Sequence, residues 1–182
     1  MSDSIPRLSM AELDPKLAEL LRAKFERLNY LGAFFQCTGH QPRALISFYK
    51  LTEDLKEALP DNLTELVALT VATLMDNAYE RVQHERLALK LGFSEAWIRD
   101  VLSLRTSNTS ELSELEVLVQ KLTLGVVERR GHNTSTELEA VIKTIGHKEA
   151  IAVLMLIGRY AMHALIANCL ALEPPVSSPL QA

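Results

Sequence analysis

Sulfur is scarce in this chain. Cys37 and Cys169 are its two cysteines, and neither belongs to a CxxC or to a Cys/His cluster with zinc-ligand spacing. That absence argues against a structural metal and a disulfide framework, so both thiols are expected to be reduced and buried in a core. Aromatic residues are also few, at 5%, and the seven glycines and seven prolines fall mostly between apolar runs. The apolar 48% therefore comes mainly from Leu and Ala, a balance that favours helices. There is no strand-like alternation longer than a few residues and no strong internal repeat. Charge of one sign is missing too: the net charge is −4, and basic residues are interspersed with acidic ones, which leaves no stripe for nucleic acid. The opening residues, Met1 to Arg7, are polar and acidic where a signal peptide needs a basic start and an apolar core, so the expected address is cytoplasmic.

A chain of 182 residues suits one all-α domain with one substantial core. After an N-terminal tail, 1–14, Leu17, Leu20, Leu21, Phe25 and Leu28 recur at helical spacing up to Asn29. An apolar run from Tyr30 to Cys37 stops at Thr38 and Gly39, and Pro42 opens a third helix at a position where its missing N–H is harmless. Asp61 or Asn62 can cap the next helix, whose pattern is expected to run from Leu63 past Asn77 to Leu91, with Gly92 closing it. A short helix follows Ser94, a polar loop spans Arg105 to Ser110, and further helices are expected at Glu111 to Arg130, Ser135 to Ile145 and His147 to Leu172. The last ten residues, 173–182, hold too few packable side chains to order themselves, and they are expected to form a tail.

The run from Ile151 to Leu172 is long and apolar enough to be weighed as a membrane span. Arg159, His163 and Asn168 interrupt it, and a central Arg alone costs about 2.5 to 3.5 kcal/mol on insertion scales. It is expected to be a core helix with no membrane partner, and its nearly all-round apolar surface points to cover by a second copy of the chain.

The candidate chemistry lies in the segment from Glu65 to Gly92. Glu80 and His84 are four residues apart, which places both on one helix face, where a carboxylate can hold an imidazole's tautomer and raise its pKa. Judged by spacing alone, the neighbouring Arg81, Glu85, Arg86 and Lys90 favour a solvated face for the pair. His40, His132 and His147 stand beside turn signals and read as structural or solvent-facing. His163, one turn after Arg159 on the apolar run, needs a partner, and a core or subunit contact ranks above a ligand carboxylate.

The segment resembles the core motif of the carboxymuconolactone decarboxylase and alkylhydroperoxidase D family. Redox members of that family carry a Glu, then a CxxC about a dozen residues later, a His four residues beyond the second Cys, and a Gly two turns on. By spacing Glu65, His84 and Gly92 match, while the cysteine positions are Asn77 and Glu80. The dithiol peroxidase cycle of the redox branch then lacks its thiols. Tyr79-Glu80-Arg81 and His84 are instead similar to the non-redox branch, which has Tyr-Glu-Trp and a following His, with Arg81 in place of the Trp. The resemblance covers residues 15–172 and implies the family's all-α bundle, a homo-oligomer, and cofactor-free decarboxylase or lyase chemistry on a small lactone or carboxylate. It implies His84 as proton donor or acceptor, Glu80 as its orienting or proton-sharing partner, Glu65 as a charge relay, and Asn77 and Tyr79 as cleft-lining residues. The alternative from another class is a binding protein that keeps the scaffold without the chemistry.

Overall fold

The computed structural model describes residues 5–107 and 111–180. The end of the expected loop, 108–110, and the first four and last two residues lie outside them. The described residues form eight helices and no strand: α1 Pro15–Leu28, α2 Ala33–Thr38, α3 Pro42–Ala58, α4 Asp61–Leu74, α5 Ala78–Lys90, α6 Glu95–Leu102, α7 Glu114–Glu128 and α8 Ser135–Cys169.

Local chemistry sets most of the ends. Asp14 caps α1 by accepting from the Lys16 and Leu17 amides, and Pro15 and Pro42 occupy first-turn positions. Ser94 accepts from the Trp97 amide, and Ser113 with Glu116 closes a reciprocal capping box on α7. Inside α8, Gly146 has φ 85° and ψ 175°, so the element is two helices meeting at a kink where the sequence places a boundary.

The central element is α4. Ten consecutive residues, Leu63 to Ala72, are buried, and α5, α6, α7 and α8 all pack against it. Fully buried leucines such as Leu66 and Leu69 each contribute about 1.5–3 kcal/mol of transfer energy. A second apolar cluster joins Leu13, Leu17 and Leu21 to Phe34, Leu45, Tyr79 and Ala167. The inner face of α8 carries Ala150, Val153, Ile157, Tyr160, Ala164 and Ala167, alternately three and four residues apart. By length and composition α8 could cross a membrane, but half of its most apolar window is buried inside the protein, in agreement with a core helix.

Three expectations are corrected. The helix from Leu63 to Leu91 is broken: Asp76 takes φ 50°, and Asn77 caps a new helix by accepting from the Glu80 amide at 3.2 Å. Cys37 is buried as expected and no disulfide joins it to Cys169, but Cys169 is exposed because it falls on the outward face of α8 that also carries Met162 and Leu165. Residues 173–180 do not trail away. Leu180 packs on the main core, the Ser178 hydroxyl donates to Glu85 at 2.5 Å, and Arg99 donates to the Leu180 carbonyl at 3.3 Å.

Candidate active site

The break at Asp76–Asn77 builds the site. In a continuous helix the 19 residues between Glu65 and His84 would hold them roughly 28 Å apart. With the chain reversed, α5 packs along α4, and His84 Nδ1 lies 2.6 Å from Glu65 Oε2. On its other side His84 Nε2 is 3.2 Å from Glu80 Oε1, the i,i+4 contact that the spacing predicts. Glu65 is 1% exposed, Glu80 6% and His84 7%, so the solvated-face reading of the pair is overturned.

Two further residues arrive from α8. Arg159 Nη1 donates to Glu80 Oε1 at 3.3 Å and its Nε donates to Thr52 Oγ1 at 2.9 Å. The guanidinium also lies over the Phe48 and Tyr160 rings, with its central carbon 4.8 and 4.3 Å from their centroids. His163 Nδ1 lies 2.8 Å from Glu80 Oε2, with the ring turned so that the contact is electrostatic rather than a directed hydrogen bond. His163 thus has the core partner that the sequence demands for it. Phe34 stacks on its ring at 3.9 Å between centroids.

These contacts decide the protonation states. Burial alone would raise the Glu80 carboxyl, but His163, His84 and Arg159 outweigh it and hold the group well below the usual carboxylate range. Burial alone would lower the His84 imidazole, yet Glu65 and Glu80 on its two nitrogens raise it. His163 moves the other way: burial lowers it, and Arg159 and His84 add to that against the pull of Glu80.

The cluster forms one wall of a cavity of about 770 Å³. Glu80, His84, Arg159 and His163 all line it, together with the aromatic rings of Phe34, Phe48, Tyr49 and Tyr79. Lys24, Arg27, Lys56 and Arg86 make it cationic, and Val176 and Pro179 of the returning C-terminal segment complete it. Lys24, half-buried over the Phe35 ring, is lowered to about 8 by desolvation.

Of the two expected cleft residues, Tyr79 lines the cavity but is buried, its hydroxyl accepting from the Phe34 amide at 3.2 Å and its own ionisation pushed up to about 12 by burial. Asn77 does not line it and serves as a helix cap. Arg81, where the non-redox pattern has Trp, faces a separate small hollow beside Glu85 at 3.6 Å. His40 accordingly has a structural contact, its Nε2 lying 2.8 Å from the Pro6 carbonyl, while His132 and His147 are exposed. Sequence reasoning missed Arg159 as the clamp on Glu80, and it missed the basic wall. The only local hint was an Arg and a His one turn apart on an otherwise apolar helix.

Comparison with known proteins bears on the fold and on part of the chain. The model of the carboxymuconolactone decarboxylase family matches residues 42–108. No curated protein matches the chain. An uncharacterized peroxidase-related protein from Ralstonia eutropha JMP134 with the alkylhydroperoxidase AhpD core is 13% identical, with a TM-score of 0.80 over 93% of this chain and 90% of its own. The debrominase Bmp8, solved as a Cys-to-Ala variant with 2,3,4-tribromopyrrole, is 14% identical, with a TM-score of 0.79 over 94% of this chain and 91% of its own. A protein of unknown function from Agrobacterium tumefaciens, described as a putative antioxidant defence protein AhpD, is 17% identical, with a TM-score of 0.67 over 77% and 96%. Residues 42–108 thus carry the pattern of the carboxymuconolactone decarboxylase family, and the chain folds as an alkylhydroperoxidase D-like helical bundle.

Proposed function

We propose that this protein is a cofactor-free acid–base enzyme of the decarboxylase or related lyase type, acting on a small carboxylate or lactone. The observation that carries the reading is a buried imidazole–carboxylate cluster, Glu65–His84–Glu80, in the wall of a cavity lined by cations. The cations suit an anionic ligand, and Glu80, ionised in a dry setting, gives a nearby imidazolium a fixed counter-charge. In such a reaction the C–C bond to the departing carboxylate breaks and CO2 leaves. The electron pair passes into a neighbouring carbonyl as an enolate, and a proton from the cluster then bonds to that carbon.

Sulfur chemistry has little support, since Asn77 and Glu80 stand at the paired thiol positions and neither Cys37 nor Cys169 lines the cavity. The neighbour solved with tribromopyrrole supports a small unsaturated ring as a ligand that this fold can admit. The test is consumption of carboxymuconolactone, followed by CO2 release, alongside a panel of small carboxylates and lactones. Turnover is expected, with Glu80→Gln lowering kcat by about 10²–10⁴-fold. Binding without consumption across the panel would favour the ligand-binding alternative. Peroxide consumption that disappears when both cysteines become Ser would restore the redox reading.

The assembly belongs to the same proposal. Ile151, Met155, Met162 and Leu165 are 54%, 48%, 51% and 62% exposed on the outer face of α8, spaced as a continuous stripe, and a second copy would cover them. Sedimentation should give a mass above one chain for the wild type and a smaller one for Met155→Glu/Leu165→Glu. A wild type that sediments as a single chain at micromolar concentration removes the assembly from the proposal.

A further inference from the structure

The two imidazoles of the site are not equivalent. His84 has both ring nitrogens occupied, Nδ1 by Glu65 at 2.6 Å and Nε2 by Glu80 at 3.2 Å, so no nitrogen is left for a ligand. His163 lines the same cavity with only Nδ1 turned to the protein, 2.8 Å from Glu80 Oε2. Among the described residues nothing hydrogen-bonds its Nε2. The ring plane is fixed by Phe34 stacked at 3.9 Å, with Tyr79 and Phe48 further off at 6.1 and 6.5 Å.

We infer that His163 is the catalytic imidazole, its Nε2 passing the proton to a bound carboxylate or lactone, and that His84 is a positioning residue that holds Glu80 in place. The inference rests on the acid–base reading above and changes which residue performs it. A carboxylate that orients an imidazole through Nδ1 and leaves Nε2 to the substrate is the logic of a catalytic triad, with Glu80 in the carboxylate's role. At 2.8 Å the Nδ1 contact has the distance of a hydrogen bond without its alignment, and catalytic hydrogen bonds often tighten only in the complex with substrate.

Charge explains how a neutral His163 could deliver a proton. Glu65 and Glu80 are balanced by Arg159 and one imidazolium, and His84, flanked by two carboxylates, is the better place for that proton. The charged or titratable groups facing His163 are Glu80 and His84 from α5 and Arg159 from its own helix. Its ring neighbours, Phe34 from α2, Phe48 from α3 and Tyr79 from α5, are uncharged. A second imidazolium would leave an excess positive charge in a buried site. An anionic ligand supplies the missing negative charge, so His163 takes up one proton from water as the ligand enters. That proton, on Nε2, moves to carbon when the C–C bond breaks and CO2 departs, which returns His163 to its neutral form.

Diethyl pyrocarbonate tests this on the wild-type protein, because it acylates an unprotonated imidazole nitrogen that it can reach. Near neutral pH, peptide mass mapping should find the label on His163 growing about tenfold or more faster than on His84, with exposed His132 and His147 as internal references. Label on His84 at the same rate or faster overturns the inference, and so does an unlabelled His163 while the references react. Where turnover is measured, His163→Gln should lower kcat by about 10²–10⁴-fold with little change in KM and erase one limb of the pH profile. His84→Gln should keep that limb at a shifted position. A wild type that labels as expected yet consumes nothing would sink the enzyme reading while leaving His163 as the group that faces the ligand.

Discussion

Helices α4 and α5 are neighbours in sequence and nearly equal in length, at 14 and 13 residues, yet they are buried on opposite terms. Most buried side chains of α4 are apolar; Thr64 bonds within its own helix, Thr70 accepts from Gln120 of α7, and Glu65 is the one charged group. On α5 the buried set includes Tyr79, Glu80, His84 and Glu85, polar groups that can be tolerated there only because each meets a partner. The first helix is held by area and the second by pairing. Area is insensitive to the identity of a single neighbour, whereas pairing depends on residues from four other elements.

The sharpest way to break this comparison is to remove one charge and one hydrocarbon of similar burial. Glu80→Leu strands Arg159 and His163 in a dry site and should cost about 3–5 kcal/mol. Leu69→Ala opens a cavity in α4 and should cost about 3 kcal/mol. Urea midpoints measured side by side decide the order. A Glu80→Leu protein as stable as wild type would mean that the cations relax into water and that pairing is not what holds α5.

A smaller effect belongs to the joint between the helices. Asn77→Ala removes the cap from α5 and should cost about 1 kcal/mol while leaving α4 unchanged. Hydrogen exchange should show faster exchange in the first turn of α5 and no change in the middle of α4. Equal acceleration in both helices would mean that the joint supports α4 as well.

The gentlest probe is pH, and the signs differ by residue. Glu80 is depressed in the folded state, so its contribution is present above the ordinary carboxylate range and is lost only in strong acid. His163 is also lowered, so its neutral form favours folding above its unfolded value of 6.5, and that contribution fades as pH falls through its folded value. His84 is raised, so its contribution is complete below 6.5 and is lost as pH rises through the shifted value. Stability should therefore be highest near neutral pH, with an alkaline decline that flattens in His84→Gln and an acidic decline that remains. An unchanged alkaline limb in that variant would remove His84 as its source.

Much of this was readable in the residues. The cap at Ser94, the proline that opens α3 and the boundary at Gly146 are local devices and were legible, whereas Ser113, the cap of α7, falls inside the helix expected from Glu111. The pairing of Glu80 with His84 follows from helical spacing. The break between α4 and α5 was not readable, because the apolar pattern runs on past Asn77 and a single residue at positive φ leaves no periodic trace. Arg159 and His163 were visible as misfits on an apolar helix, but Arg159 meets Glu80 across 79 residues and Thr52 across 107, separations at which no sequence pattern names a partner.

The C-terminal segment teaches the same lesson in reverse. Pro174, Pro175 and the two serines read as a tail because they cannot build structure alone, yet Ser178 and Leu180 find ready-made partners on α5, α6 and the core. What the sequence determined by itself is which faces are apolar and most helix ends, the break between α4 and α5 excepted, since those depend on neighbours within about four positions. Tertiary structure alone decided that Glu80, His84, Arg159 and His163 share one wall of one cavity, with Glu65 behind His84. A buried charge is tolerable only where distant parts of the chain deliver its counter-charge, and that delivery exists only once the helices have packed.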